Sequence, residues 1–294
     1  MTIGILYESK EWSIFALRDR IAGMGVPVKL LDMQEEIDLN ELLSCRMIIS
    51  RVFASAVFRG HQKALDLMPA VIELLKESGI PMINPAEAHY YETSKKRAKE
   101  KLAAHGFPVP DLYKVFTQNQ FAESAESFEI KYPCVVKPDC GGRTSYTFIV
   151  RGYPELSESM ADAPDIRFIA EEYIRPEYGY VTRIEGIDRE CRLAVKRSVT
   201  ETGLSAYHLG SEYEIYTDLP GGIRDTAINA LDCLHIGAGS LDMIENSTGF
   251  YIIDVNSVSN VSEDNTEMFN FDLMKETAAY AVKIYGNLFL EENE

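Results

Sequence analysis

The sequence predicts an α/β (α+β) fold: a wound α/β domain over residues 1–93, then two αβ lobes over 94–175 and 176–294. Three observations carry this reading. Short apolar runs alternate with helical patterns through the first 93 residues, the texture turns basic and helical just after Glu92, and long strands dominate from Gly179 onward. Strands separated by helices of this length imply a parallel sheet with helices on its faces.

The elements follow in order. Thr2–Leu6 is an apolar run, Trp12–Ala22 has helical spacing and closes at Gly23, and Val26–Leu31 is apolar again. Met47–Phe53 reads as a third strand, Ala64–Leu75 as a helix ended by Gly79, and Pro81–Asn84 as a fourth strand. No G-x-G-x-x-G follows the first strand, so the domain lacks a dinucleotide fingerprint. Ser94–His105 is a basic helix with Lys95, Lys96, Arg97, Lys99 and Lys101, stopped by Gly106 and the Pro108/Pro110 pair. The second unit continues with strand Leu112–Phe116, a helix near Phe121–Phe128 and strand Cys134–Pro138. A glycine turn, strand Tyr146–Val150, a short helix and strand Phe168–Ile174 complete it. In the third unit, strands Tyr180–Glu185, Cys191–Ser198, Ser240–Ile244 and Phe250–Val255 surround helix Arg224–His235, and helix Leu273–Tyr285 closes the chain.

Composition narrows the function. The 294 residues carry 46 acidic and 29 basic side chains, a formal net charge of -17. From Leu241 to Glu294, eleven Asp/Glu face two Lys, a net of -9. So acidic a chain repels phosphate backbones and anionic headgroups, which argues against nucleic-acid and membrane-surface partners. No apolar run approaches a membrane span, and the N-terminus lacks a signal-peptide pattern. Five cysteines without a C-x-x-C pair read as reduced thiols, and the expected location is cytoplasmic.

Two constellations carry chemistry. In Pro133–Ser145, Lys137 ends an apolar strand and precedes Gly141, Gly142, Arg143, Thr144 and Ser145. An ammonium in an apolar strand needs an anion, and backbone N–H groups freed by the glycines suit phosphate oxygens. The alternative is a strand-end lysine reaching water before a hairpin turn. The second constellation is Gly239–Asn246 followed by Gly249–Asn256. It reads as a hairpin whose strands set Asp242 close to opposite Asp254, with Asn256 two residues on and on the same face. Opposed carboxylates repel unless a cation lies between them, and this all-oxygen set suits Mg²⁺ held jointly with phosphates. A solvent-facing pair is the alternative.

In order and spacing, these motifs resemble the ATP-grasp superfamily, over nearly the whole chain. The pattern is similar to the RimK-like group: the ribosomal-protein S6 glutamate ligase and the carrier-protein ligases of lysine and arginine biosynthesis. Ser94-Lys95 ahead of Gly106-Phe-Pro-Val-Pro110 looks like the family's first nucleotide lysine and the signature that follows it. Phe168–Ile174 looks like the hinge strand at the adenine edge. The resemblance implies ATP with Mg²⁺ or Mn²⁺, clasped between the two lobes after a customary first domain. Lys95 and Lys137 would contact the α/β-phosphates or the adenine edge, and the turn Gly141–Ser145 would close over the β/γ-phosphates. Glu171, Glu172, Tyr173 and Ile174 would border adenine. Asp242, Asp254 and Asn256 would hold metal. Arg183 and Arg197 would stabilise the transferring phosphoryl group. The chain departs from the family pattern at Ser94 (usually Asp), at Val181 (often acidic, with Glu177 a substitute for the ribose hydroxyls) and at Asp254 (more often Glu).

The implied activity is that of a carboxylate–amine ligase, working through an acyl-phosphate and releasing ADP and phosphate. Its substrates would be a small-molecule amino acid, a peptide or a carrier protein. Family members are often dimers or tetramers. A synapsin-like nucleotide-binding module and an ATP-grasp kinase share the same parts. Phosphoryl transfer asks mainly for positioning and charge neutralisation, consistent with the lack of a Ser-His-Asp or Cys-His arrangement. Arg51 and Ser55 fall at the C-terminal end of the third strand, where open α/β sheets bind ligands. They are candidate substrate contacts; the alternative for Arg51 is a surface salt bridge.

Overall fold

The computed structural model describes residues 2–124, 127–259 and 261–290. The acidic tail Glu291–Glu294 and part of the expected Phe121–Phe128 helix lie outside the described residues.

The first sheet is formed by β1 (Thr2–Tyr7), β2 (Val28–Asp32), β3 (Cys45–Arg51) and β4 (Met82–Ile83). All pairings are parallel, in the order β2-β1-β3-β4. Its strands are apolar on both faces because helices cover both. One face packs on α1 (Trp12–Gly23), the other on α2 (Leu39–Leu43) and α3 (Gln62–Glu77). Two helices then lead out: α4 (Ala86–Glu92) and the basic α5 (Lys95–Ala104).

The second sheet is antiparallel, in the order β5-β8-β6-β7. It contains β5 (Leu112–Thr117), then after α6 (Gln118–Ser124) β6 (Cys134–Pro138) and β7 (Phe148–Val150), and after α7 (Tyr153–Ala161) β8 (Arg167–Glu172). Phe116, Phe121, Phe128 and Phe168 fill its core. Two strands are shorter than expected. β7 begins at Phe148 because Tyr146 sits at φ 50°, outside the extended region. β8 ends at Glu172, whose N–H reaches the Asp111 carbonyl beyond the end of β5.

The third sheet is antiparallel, in the order β11-β10-β9-β12-β13. Its strands are β9 (Tyr180–Ile187), β10 (Glu190–Ser198), β11 (Tyr213–Ile215), β12 (Ala238–Asn246) and β13 (Gly249–Asn256). One face buries Ile184, Leu241, Met243 and Ile252 against α8 (Gly221–Cys233). That apolar layer leaves the opposite face for polar groups, as period-two alternation requires. After α9 (Glu263–Phe269) comes α10 (Leu273–Leu290), which packs mainly along α1 and touches this sheet at β9. Leu273, Met274, Ala278 and Ala281 join the core of Ile14, Leu17 and Ile21, and Arg20 pairs with Asp272 at 2.8 Å. Among the described helices none is long and apolar enough to cross a membrane.

Candidate active site

Strand register assembles the site on the third sheet. Val195 pairs with Arg183, Arg183 with Asp242, and Asp242 with Asp254, which makes one row across four strands. The next row runs Leu193, Glu185, Ser240 and Asn256. Side chains two apart on a strand share a face, and cross-strand neighbours stand about 4.5–5.5 Å apart. Asp242, Asp254 and Asn256 therefore come together on one face, beside two arginines. Arg197 pairs with Asp242 at 2.7 Å; Arg183 reaches Asp242 at 3.3 Å and Glu185 at 2.6 Å. Burial acts against the Arg183 charge, but Glu185 and Asp242 outweigh it and raise its pKa above the usual value.

The second lobe supplies lysines. Ser94 caps α5 by accepting from the Arg97 N–H, and its hydroxyl donates to the Asp139 carboxylate at 3.0 Å. Asp139 also accepts from the Lys96 N–H at 2.8 Å, an anion placed at a helix N-terminus. This clamp holds the first turn of α5 against the end of β6. Lys95 then projects across to Asp254 at 2.6 Å. Lys137 donates to the Ile253 carbonyl of β13 at 2.8 Å and pairs with Glu171 at 2.8 Å. Lys99, one helical turn after Lys95, pairs with the other Glu171 oxygen at 3.2 Å. Lys99, Lys137 and Glu171 are all buried. Burial pushes the Glu171 pKa up, but Lys137 and Lys99 prevail and lower it. Burial, with Lys137 adding to it, lowers that of Lys99. Asp254 is lowered by Lys95 and Lys137 against its burial.

Between the two sheets lies a cleft of about 140 Å³. Lys95, Lys137, Gly141, Gly142, Arg143, Thr144, Ser145, Glu171, Glu172, Tyr173, Ile174, Arg197, Asp242 and Asp254 all line it. Gly141 sits at φ 152°, and a Cβ there would lie 2.6 Å from the Phe58 ring, so the turn presses directly on the first domain. Arg143 and Thr144 adopt left-handed conformations, and Arg143 pairs with Glu11 at 2.6 Å. Cys140 beside the turn is packed against the Ala54 carbonyl, and burial pushes its thiol up to about 11. It fills the space beneath the turn.

Two expected contacts are displaced. Arg51 does not line the cleft: it is 4% exposed, and its guanidinium donates to Ser13 Oγ at 3.0 Å and to the Ser259 carbonyl at 2.9 Å. Burial pushes its pKa down to about 10. The sheet's C-terminal end is roofed by the chain after β13, so an arginine there becomes an internal tie, neither a substrate contact nor a surface salt bridge. Ser55, by contrast, lines the adjoining outer chamber. Glu177 is exposed and accepts from the Ser247 N–H at 2.9 Å, turned to the hairpin tip instead of the cleft.

Several residues were missed. Lys99 was detectable as the i+4 neighbour of Lys95 on one helix face, and Glu185 as the period-two neighbour of Arg183. Glu92 left no local signal. Buried between units, it accepts from the Ala54 N–H, the Ser257 N–H and the Ser257 hydroxyl.

The donor set fits a hard divalent cation. Among the described residues no three His, Cys, Asp or Glu side chains gather to hold a metal unaided. Two opposed carboxylates and an amide oxygen instead match Mg²⁺, which keeps open positions for phosphate oxygens and water.

Two lobes facing one cleft, with lysines on one side and carboxylates on the other, define a nucleotide-clasping enzyme fold. The chain belongs to the ATP-grasp domain family, whose model matches residues 93–258. It is similar to the D-alanine–D-alanine ligase of Pediococcus pentosaceus, 30% identical over 139 residues that cover 43% of this chain and 39% of that protein. It is also similar to β-citrylglutamate synthase B of Danio rerio, 21% identical over 188 residues, 62% of this chain and 46% of that one. The chain thus spans less than half the length of these two relatives. The crystal structure of a RimK-domain ATP-grasp protein from Sphaerobacter thermophilus superposes with a TM-score of 0.69, at 17% identity, over 95% of this chain and 99% of that one. The expected RimK-like resemblance therefore holds at the level of fold.

Proposed function

We propose that this protein is an ATP-dependent carboxylate–amine ligase, with residues 1–93, 94–175 and 176–294 as its three units. One observation carries the reading: Arg197, Asp242 and Asp254 line both the cleft between the lobes and the larger chamber beside it. Groups suited to a transferring phosphate thus stand where two cavities meet.

In this reading Lys95 and Lys137 hold the phosphates, the turn Gly141–Ser145 covers them, and Glu171–Ile174 border the adenine. Asp242, Asp254 and Asn256 would hold Mg²⁺, which when bound neutralises phosphate charge. A substrate carboxylate oxygen attacks the γ-phosphorus; a P–O bond forms to it as the bond to ADP breaks. Arg183 and Arg197 balance the charge on the resulting acyl-phosphate. An amine nitrogen then forms the C–N bond, phosphate leaves with the C–O electrons, and the amine gives up a proton. The amide, ADP and phosphate account for all atoms.

The test is a carboxylate panel with ATP, Mg²⁺ and hydroxylamine. A hydroxamate formed together with ADP supports the ligase. ADP release with an alcohol acceptor and no hydroxamate would identify a kinase. Tight nucleotide binding without ADP release under any condition would identify a binding module. ATP affinity unchanged in Lys137→Ala would sink the site assignment.

A further inference from the structure

The cleft opens onto a chamber of about 720 Å³, within the range of ordinary small-molecule sites. Its walls are unlike those of the cleft. Leu193 and Val195 continue the two active rows of the third sheet towards β10, so apolar side chains take over where the charged ones end. Trp12 and Phe271 show the chamber the parts of their rings that the core beneath does not cover. Phe269 comes from α9, a helix with no buried residue, and stands 6.5 Å from Tyr213. Half-buried beside Tyr213, its ring keeps part of its surface turned to the chamber.

The charges of the chamber are arranged for an amine. Glu11, Glu185 and Asp264 line it. Arg183 pairs with Glu185 as well as with Asp242, Arg197 with Asp242, and Glu11 with Arg59 and Arg143, which leaves Asp264 as the one of these three carboxylates without an ion pair among the described residues. An ammonium entering beside Asp264 is attracted, whereas a substrate with an acidic side chain meets like charge there.

We propose that this chamber receives the amine substrate and selects an amine on a bulky apolar skeleton, arylalkyl or branched alkyl, over small or acidic amines. What that amine does there rests on the ligase reading above; its selection does not. An apolar skeleton would remove the faces of Trp12, Leu193, Phe269 and Phe271 from water, which a small amine leaves wet.

Trp12 is the only tryptophan of the chain and lines the chamber, so its emission reports occupancy without turnover. The full chain, saturated with a non-hydrolysable ATP analogue and Mg²⁺, is titrated with phenethylamine, 3-methylbutylamine, ethylamine and L-glutamate. The two bulky amines are expected to shift Trp12 emission with midpoints at least tenfold below that of ethylamine, with no response to glutamate. Phe269→Ala should raise the phenethylamine midpoint about tenfold and leave that of ethylamine in place. Ethylamine or glutamate saturating at or below the phenethylamine midpoint, or no amine moving the emission, overturns the proposal. Failure of every carboxylate to give a hydroxamate removes the ligase reading and leaves the selectivity measured by fluorescence standing.

Discussion

Replacing Glu171 by Gln isolates the electrostatics of the lysine cluster. The carboxylate is 2% exposed and faces Lys137 at 2.8 Å and Lys99 at 3.2 Å. Removing its charge leaves two buried ammoniums, and breaking a buried pair from one side costs about 3–5 kcal/mol. Lys137 keeps the Ile253 carbonyl, and Lys99 has a lowered pKa and sheds its proton more readily than an ordinary lysine. The loss should therefore fall near the low end, about 3 kcal/mol, or about 6 °C in Tm for a chain of this size. The sign with pH follows. The folded-state pKa of Glu171 lies below its unfolded value, so its stabilisation is complete above about pH 4.5 and is lost as pH falls through the folded pKa. Lys99 has the same sign of linkage at the other end of the scale: its folded-state pKa is lowered too, so stability rises as it loses its proton, and the variant, lacking the Glu171 counter-charge, regains stability as pH rises towards 10. Urea unfolding of both proteins between pH 3.5 and 9.5 should give a gap that is widest near neutrality and narrows at each end. A gap under about 1 kcal/mol at pH 7, or one that is flat into acid, would refute the cluster as described.

Further outcomes test the other ties. Gly141→Ala puts a Cβ 2.6 Å from Phe58 at φ 152° and should cost about 1–3 kcal/mol, whereas Gly142→Ala meets only Ser55 at 3.4 Å. The reverse order of thermal shifts would contradict the turn geometry. Arg51→Met removes a buried tie to Ser13 and Ser259 and should cost about 2–3 kcal/mol in urea melts, with unchanged ATP affinity by calorimetry. A large loss of affinity with intact stability would return Arg51 to the substrate. Asp254→Asn should raise the Mg²⁺ concentration needed for ATP binding at least tenfold; an unmoved Mg²⁺ midpoint would exclude it as a ligand.

Local pattern made much of this legible. The pairing of Asp242 with Asp254 followed from counting outward from one turn, because strand periodicity leaves little freedom once a hairpin is placed. The strand Cys134–Pro138 was read to its observed ends because a run of apolar residues closed by proline has few alternatives. The misses are long-range. Whether Arg51 meets substrate or protein depends on the chain after β13, more than 200 residues away. Glu92 joins three segments distant in sequence, and α10 returns to α1 across the length of the chain. Short α4 and α9 lack enough turns to show a period, and neither was read.

The charges of the site share one logic. Each group proposed to hold a ligand charge already holds a protein charge of opposite sign: Lys95 with Asp254, Arg197 with Asp242, Lys137 with Glu171. Unpaired charges at this depth would be costly, and uncharged groups could not neutralise phosphate. Pairing resolves the conflict. In the proposed reading, Lys95 would turn from Asp254 to arriving phosphates, and the freed carboxylate would become available to a cation arriving with them. The exchange leaves no charge unpaired at either stage. Lys137 differs, since Glu171 is also held by Lys99 and stays in place. One lysine of the cleft is thus free to exchange partners while the other is fixed. Lys99, the residue that sequence reading passed over, is what fixes it: Lys99→Met should loosen Glu171 and weaken ATP binding through Lys137, although Lys99 itself does not line the cleft.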